Sequence, residues 1–329
     1  KWKLGHRFNL GLLSCLMIGA MLLHWLAINE DANSEHHQHA LHDAHEKAER
    51  AIILAGAPAG IPSSGAVSLL QKDPKIQGAR LFSKHCASCH RYDGHDGTGS
   101  GTTVKILLKE GDSIASIAED RGMTIDEILQ KNSLDQDQVK SGIQLKVNFK
   151  PSAADLKDFA SREWLERLLI HDHYISPEYF GGTKFISGKM SKFLKKLDES
   201  DATDLKKVAA TLSAQAQLPY QIEIDAQDTE LITKGEELLV DDFACIDCHQ
   251  FVEPDDEASA PDLTGYGSTE WLTAIIADPA HGRFYGSKND RMPSFGKDNK
   301  LTEIEIGLIV DWLRRDFYEP DVDNKSRAH

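Results

Sequence analysis

The sequence of 329 residues predicts a mainly α fold, interrupted by one small βααβ insertion and preceded by a single membrane-length helix. Three observations predict it. An apolar run fills residues 8–28. Apolar residues at helical spacing then recur in two related stretches of the C-terminal part. Only residues 104–147 break that pattern, with short strand-like segments at both ends.

The apolar run is long enough to cross a bilayer as a helix. Lys1, Lys3, His6 and Arg7 precede it, and Glu30, Asp31 and Glu35 follow it. The positive-inside bias leaves the N-terminus in the cytoplasm and sends the rest to the outer, periplasmic side. The run is long for a cleaved signal peptide, and no clean small-x-small site follows it. A net charge of −15 argues against nucleic acid as the main partner and suits a surface that meets a basic protein.

Residues 29–65 read as a His-rich helix followed by a linker. His36, His39, His42 and His45 recur every third position, with His37 beside them. Such a face could take up Zn or Cu, and a solvated polar helix is the plainer reading. Pro and Gly then mark residues 56–65 as a linker.

Of five cysteines, four fall in two copies of one motif. These are Cys86-Ala-Ser-Cys89-His90 and Cys245-Ile-Asp-Cys248-His249. Cys-x-x-Cys-His is the attachment signature of c-type haem. Two thiols form thioethers with the haem vinyl groups, and the adjacent His ligates the iron. Two covalently bound haem c groups are therefore expected, with electron transfer as the leading role. The fifth, Cys15, lies in the apolar run, which leaves no pair for a structural disulfide.

After the first motif, residues 91–103 are turn-rich. Residues 104–147 then read strand, helix, helix, strand, with Ile114, Ile117 and Ala118 on one face and Ile125, Ile128 and Leu129 on another. The pattern Gly111-Asp112-Ser113-Ile114, Ile117-Ala118, Gly122, Ile125, Leu129, Asn132, Leu134, Gly142 and Leu145 resembles a LysM module. The resemblance implies a βααβ fold that binds chains of N-acetylglucosamine, and hence peptidoglycan as a partner. The first strand lacks the aromatic residue that commonly opens that family.

An internal repeat shows that this module is an insertion. Asp155 to Leu165 parallels Asp262 to Leu272, including Trp164 and Trp271. Tyr179-Phe180-Gly181 parallels Phe284-Tyr285-Gly286, and Met190 and Met292 follow at equivalent places. Each copy closes with a helix, at 202–214 and 302–317. Met thioethers are soft sixth ligands that stabilise ferrous iron. Taken in sequence order, Met190 serves His90 and Met292 serves His249, with His171 and His173 as rivals to Met190. Trp164, Trp271, Arg91, Arg283 and Arg291 are candidate partners for haem propionates.

This order of motifs resembles two class I cytochrome c domains, as in the di-haem portion attached to the cytochrome b subunit of bacterial cytochrome bc complexes. The resemblance implies residues 66–102 plus 150–214 as the first domain and 227–318 as the second. The module at 103–149 interrupts the first, 215–226 links the two, and 319–329 is a tail. It also implies cytochrome b and Rieske iron–sulfur subunits as partners, with a soluble cytochrome or terminal oxidase downstream. An electron-input subunit of a cbb-type oxidase, a di-haem peroxidase and a cell-wall attachment protein are the alternatives. Sixth ligands on both irons and the membrane anchor count against the peroxidase.

Overall fold

The structure is a computed structural model that describes residues 5–255 and 257–320, apart from the side chains of Glu35, His36 and His39. Lys1, Lys3 and residues 321–329 of the expected tail lie outside the described residues, as do the imidazoles of His36 and His39. The chain forms two compact units, residues 1–71 with 318–329, and residues 72–317.

In the smaller unit, α1 (His6–Asn33) contains an 18-residue stretch with a mean hydropathy of 2.0 and buries none of its residues. At about 1.5 Å per residue it exceeds the hydrocarbon thickness of a bilayer, about 30 Å. It is one helix long and apolar enough to span a membrane. The helix expected from residue 29 onward is divided. Ser34 ends α1 and caps α2 (Glu35–Ala55), its hydroxyl accepting from the His37 amide at 3.3 Å. A short helix α3 (Val67–Gln71) follows the linker. On α2, His42 and His45 each lie 3.3 Å from a glutamate one turn on, Glu46 and Glu49. No group of three or more metal-ligating side chains occurs among the described residues.

The larger unit opens with α4 (Pro74–His85), where Pro74 suits the first helical turn. The insertion comes next: β1 (Thr103–Leu107), α5 (Ile114–Arg121), α6 (Ile125–Asn132) and β2 (Gln144–Asn148). Its strands are antiparallel, with Thr103 opposite Asn148 and Leu107 opposite Gln144. Capping boxes start both helices, at Ser113 and Thr124, and Ile128, Leu145 and Val147 are wholly buried between the helices and the two-stranded sheet. The Asn132 side chain pairs with the Lys146 backbone, donating at 2.8 Å and accepting at 2.6 Å, which ties α6 to β2.

The remaining helices are α7 (Arg162–Leu168), α8 (His171–Tyr174), α9 (Lys189–Leu194), α10 (Ala202–Ala216), α11 (Ile222–Gln227), α12 (Thr229–Glu237), α13 (Thr269–Ala277) and α14 (Glu303–Leu313). Their pairing crosses the boundaries drawn along the sequence. The helix before the first motif, α4, packs on the last helix, α14, and α12, before the second motif, packs on α10. Both crossings turn on a glycine. A methyl at Gly78 would stand under 3.0 Å from Trp312 and the Leu308 carbonyl, and one at Gly235 equally close to Thr211 and the Lys207 carbonyl. One turn on from each glycine, Phe82 and Leu239 are wholly buried.

Two cores result. The first joins α4, the first motif, α13 and α14; the second joins α7, α10, α12 and the second motif. The repeats cross where their equivalent residues meet. Phe159 and Tyr266 have ring centroids 5.4 Å apart, and a methyl on Gly267 would collide with the Ala160 side chain. Contact between equivalent positions marks a local two-fold relation. Both copies take the left-handed conformation here: Ala160 has φ 64° and Gly267 φ 76°. Buried Arg314 at the end of α14 bolts the crossing, donating to the carbonyls of Ala216 at 2.6 Å, Gly267 at 2.7 Å and Gln217 at 2.9 Å.

Candidate functional site

Each Cys-x-x-Cys-His segment is a single helical turn. The amides of Cys89 and His90 donate to the Cys86 carbonyl at 3.0 and 2.9 Å, and those of Cys248 and His249 to the Cys245 carbonyl at 3.2 and 3.0 Å. Spacings of three and four residues on such a turn bring two thiols and one imidazole to the same side. All four cysteines are free thiols. Burial pushes the Cys86 thiol up to about 12 and the Cys245 thiol to about 11. Both stay protonated.

The imidazoles are held identically. His90 Nδ1 lies 2.8 Å from the Ala154 carbonyl oxygen, and His249 Nδ1 lies 2.6 Å from that of Pro261. A carbonyl can only accept, so Nδ1 carries the proton and Nε2 keeps its lone pair. Burial also lowers the pKa of each ring, which keeps it neutral despite the opposing backbone hydrogen bond. A neutral imidazole with a free Nε2, oriented through Nδ1 and flanked by two thiols, is the donor set that haem c requires.

Those two carbonyls were not singled out by the sequence. Their signal is their place one residue ahead of the repeated Asp-Leu pairs at Asp155 and Asp262. The pairs are docked alike, the Leu156 amide donating to the Arg91 carbonyl at 2.8 Å and the Leu263 amide to the Gln250 carbonyl at 2.9 Å.

The methionines do not follow sequence order. Met292 lies against the core that contains Cys86, Phe82 and Ala87, and Met190 against the core that contains Cys245. His171 stays with the second core as well, its Nε2 3.4 Å from the hydroxyl of Ser191, next to Met190. His173 is on the same short helix α8.

The residues expected to meet propionates have protein partners. Trp164 and Trp271 donate their indole N–H groups to the carbonyls of Asp155 at 3.1 Å and Asp262 at 2.8 Å. Arg91 donates to the carbonyls of Ala87 at 2.6 Å and Gly101 at 2.9 Å beneath the ring of Phe149. Arg283 pairs with Asp262 at 2.7 Å. Arg291 reaches the carbonyls of Gly182 at 2.9 Å and Ser152 at 3.2 Å. These side chains bind the loops around the motifs, because each loop supplies carbonyls that its own backbone leaves free.

Aromatic rings fill the space between the halves. Tyr174 stacks on Phe180 at 4.8 Å, Phe180 meets Phe185 at 6.2 Å, and Phe185 stacks on Tyr285 at 5.4 Å. Burial pushes Tyr285 up to about 12 and Tyr266 well above the usual phenol range, so both stay neutral.

The βααβ geometry of the insertion agrees with the family that its sequence matches. Residues 107–148 match the LysM domain. The match begins at the last residue of β1 and closes with β2, so it takes in both helices and the second strand of the insertion. No curated protein and no solved structure matches the chain.

Proposed function

We propose that this chain is a membrane-anchored di-haem c-type cytochrome that relays single electrons within a quinol-oxidising cytochrome bc complex. The observation that carries the haem assignment is the paired histidine geometry: twice, Nδ1 is engaged by a carbonyl, at 2.8 and 2.6 Å, beside two free thiols. Cys86, Cys89, Cys245 and Cys248 would hold two haem c groups, His90 and His249 would supply the proximal nitrogens, and Met190 and Met292 the sulfur ligands. The haem would supply two vinyl groups, to which the paired thiols would be joined as thioethers, each S–H adding across one double bond. Burial keeps the Cys86 and Cys245 thiols protonated and poorly nucleophilic.

Haem, when bound, supplies a reversible one-electron couple. The chain's own residues set its surroundings. His90 and His249 hold their ring planes through the carbonyls of Ala154 and Pro261, and the aromatic run from Tyr174 to Tyr285 keeps water out between the halves. The bc assignment rests on the order of anchor, linker and repeated motifs. In that arrangement α1 anchors the chain, both haem sites lie on the periplasmic side, a Rieske protein donates and a soluble cytochrome or oxidase accepts. On the same side the LysM domain would meet peptidoglycan.

The test uses the gently solubilised native complex. Quinol should reduce c-type haem in a reaction blocked by a bc-site inhibitor, with b-type haem co-purifying. Reduction by a c-type donor without quinol, followed by oxygen consumption, would refute the bc assignment and place the chain in a cbb-type oxidase.

A further inference from the structure

We infer that the two repeats exchange their sulfur ligands: Met292 completes the haem held by Cys86, Cys89 and His90, and Met190 completes the haem held by Cys245, Cys248 and His249. The inference rests on the haem reading above and concerns which methionine serves which motif.

Helix pairing carries it. A motif is positioned by the helix that runs into it, α4 for Cys86 and α12 for Cys245. Each methionine is positioned by the segment that leads into a closing helix, α14 for Met292 and α10 for Met190. In the structure α4 lies on α14 and α12 on α10, each at a crossing too tight to admit one methyl group. Side-chain packing agrees, with Cys86 and Met292 on one core and Cys245 and Met190 on the other.

The backbone shows how the exchange is made. Each chain segment leaves its histidine through a docked pair, Asp155-Leu156 or Asp262-Leu263, and then passes its equivalent at Phe159-Ala160 and Tyr266-Gly267. Ala160 accepts a left-handed φ of 64° there, a conformation uncommon for a residue with a Cβ. Around Met292 the loop is braced by Asn289, whose side-chain amide donates to the Met292 carbonyl at 2.8 Å. That brace belongs to the segment entering α14, so it moves with the first motif's core.

Exchange has a physical consequence. Neither haem site is complete within one repeat, so neither repeat can assemble a six-coordinate iron without the other.

The experiment uses the full chain in detergent, in two single-haem forms: Cys86→Ala/Cys89→Ala, which keeps only the second motif, and Cys245→Ala/Cys248→Ala, which keeps only the first. Met190→Ala and Met292→Ala are introduced into each. The readouts are the methionine-to-iron charge-transfer band of the ferric protein and the reduction potential. With only the second motif, M190A should abolish the band and lower the potential, and M292A should change neither. With only the first motif the roles should reverse. Loss of the band in the sequence-order pairing, or with neither substitution, overturns the exchange. Where an alanine variant does not fold, Met190→His or Met292→His retains a ligand and should convert the same site to a bis-histidine spectrum. Absence of covalent haem from the denatured wild-type chain would instead refute the haem reading, which separates the two failures.

Discussion

Replacing Gly78 by alanine tests the crossing on which the first core depends. The new methyl would stand under 3.0 Å from Trp312 Cβ, Trp312 Cγ and the Leu308 carbonyl oxygen. Two of these atoms belong to a helix backbone or its first side-chain carbon, so no rotamer change relieves the clash. Carbon atoms pack at about 3.5–4.0 Å, so the helices must separate by roughly an ångström. Overpacking of this kind costs about 1–3 kcal/mol, and the rigid obstacle places G78A near the upper end. Alanine returns about 1 kcal/mol through its better helix propensity. The net loss is about 2 kcal/mol, or a fall of about 4–8 °C in Tm for a unit of this size. Gly307 provides the internal control. It lies on the facing helix α14, and a methyl there meets nothing within 4 Å. G307A should therefore gain about 1 kcal/mol from propensity alone. Scanning calorimetry of the two variants in detergent measures the difference. If G78A melts at or above G307A, α4 does not lie on α14 as closely as described, and the two repeats need not exchange their methionines.

Three further outcomes are expected. Arg314→Met should destabilise the larger unit by about 3 kcal/mol, because two buried carbonyls and a part-buried one lose a charged donor; calorimetric stability within 1 kcal/mol of wild type would refute that role. Burial alone would raise the Asp96 pKa, but hydrogen bonds from the Thr98 hydroxyl and amide, the Ser83 hydroxyl and the Ser100 amide hold it below the usual carboxylate range. Its contribution is present above the unfolded carboxylate value, about pH 4, and is lost as pH falls through the folded value. Asp96→Asn should thus melt lower than wild type at pH 7 and lose part of the wild type's decline in acid; parallel melting curves across pH would contradict this. Ile128→Ala empties a wholly buried position of the LysM domain and should cost that domain about 2–5 kcal/mol. Hydrogen exchange should rise in residues 103–148 and stay unchanged around the two Cys-x-x-Cys-His motifs, whereas a uniform rise would show that the domain does not unfold by itself.

Local structure was legible in the sequence. The membrane-length helix, the turn-rich segment after the first motif and every element of the LysM domain follow from hydropathy, periodicity and capping residues. Those signals act within a few residues along the chain. The division at Ser34 was less visible, because a single capping hydroxyl interrupts a polar helical stretch whose composition hardly changes. At the Cys-x-x-Cys-His motifs, residue type and spacing pointed to the thiols and imidazoles. The carbonyls of Ala154 and Pro261 carried no side-chain signal, since what they contribute is backbone.

Sequence alone determined which groups this protein carries: one apolar helix, two Cys-x-x-Cys-His motifs, two candidate methionines and one LysM domain. Tertiary structure decided which groups meet. Nothing in α4 or in α12 and the turn after it names a partner, for in both a glycine is followed one turn later by a large apolar residue. The choice falls to the facing helices. On α14, Trp312 lies against Phe82 with ring centroids 5.1 Å apart, and on α10 the smaller Thr211 fits beside Gly235 and donates to the Ile232 carbonyl at 2.6 Å. Complementarity of that kind exists only between surfaces far apart in the chain, which is why the pairing of helices across the repeats could be seen only in three dimensions.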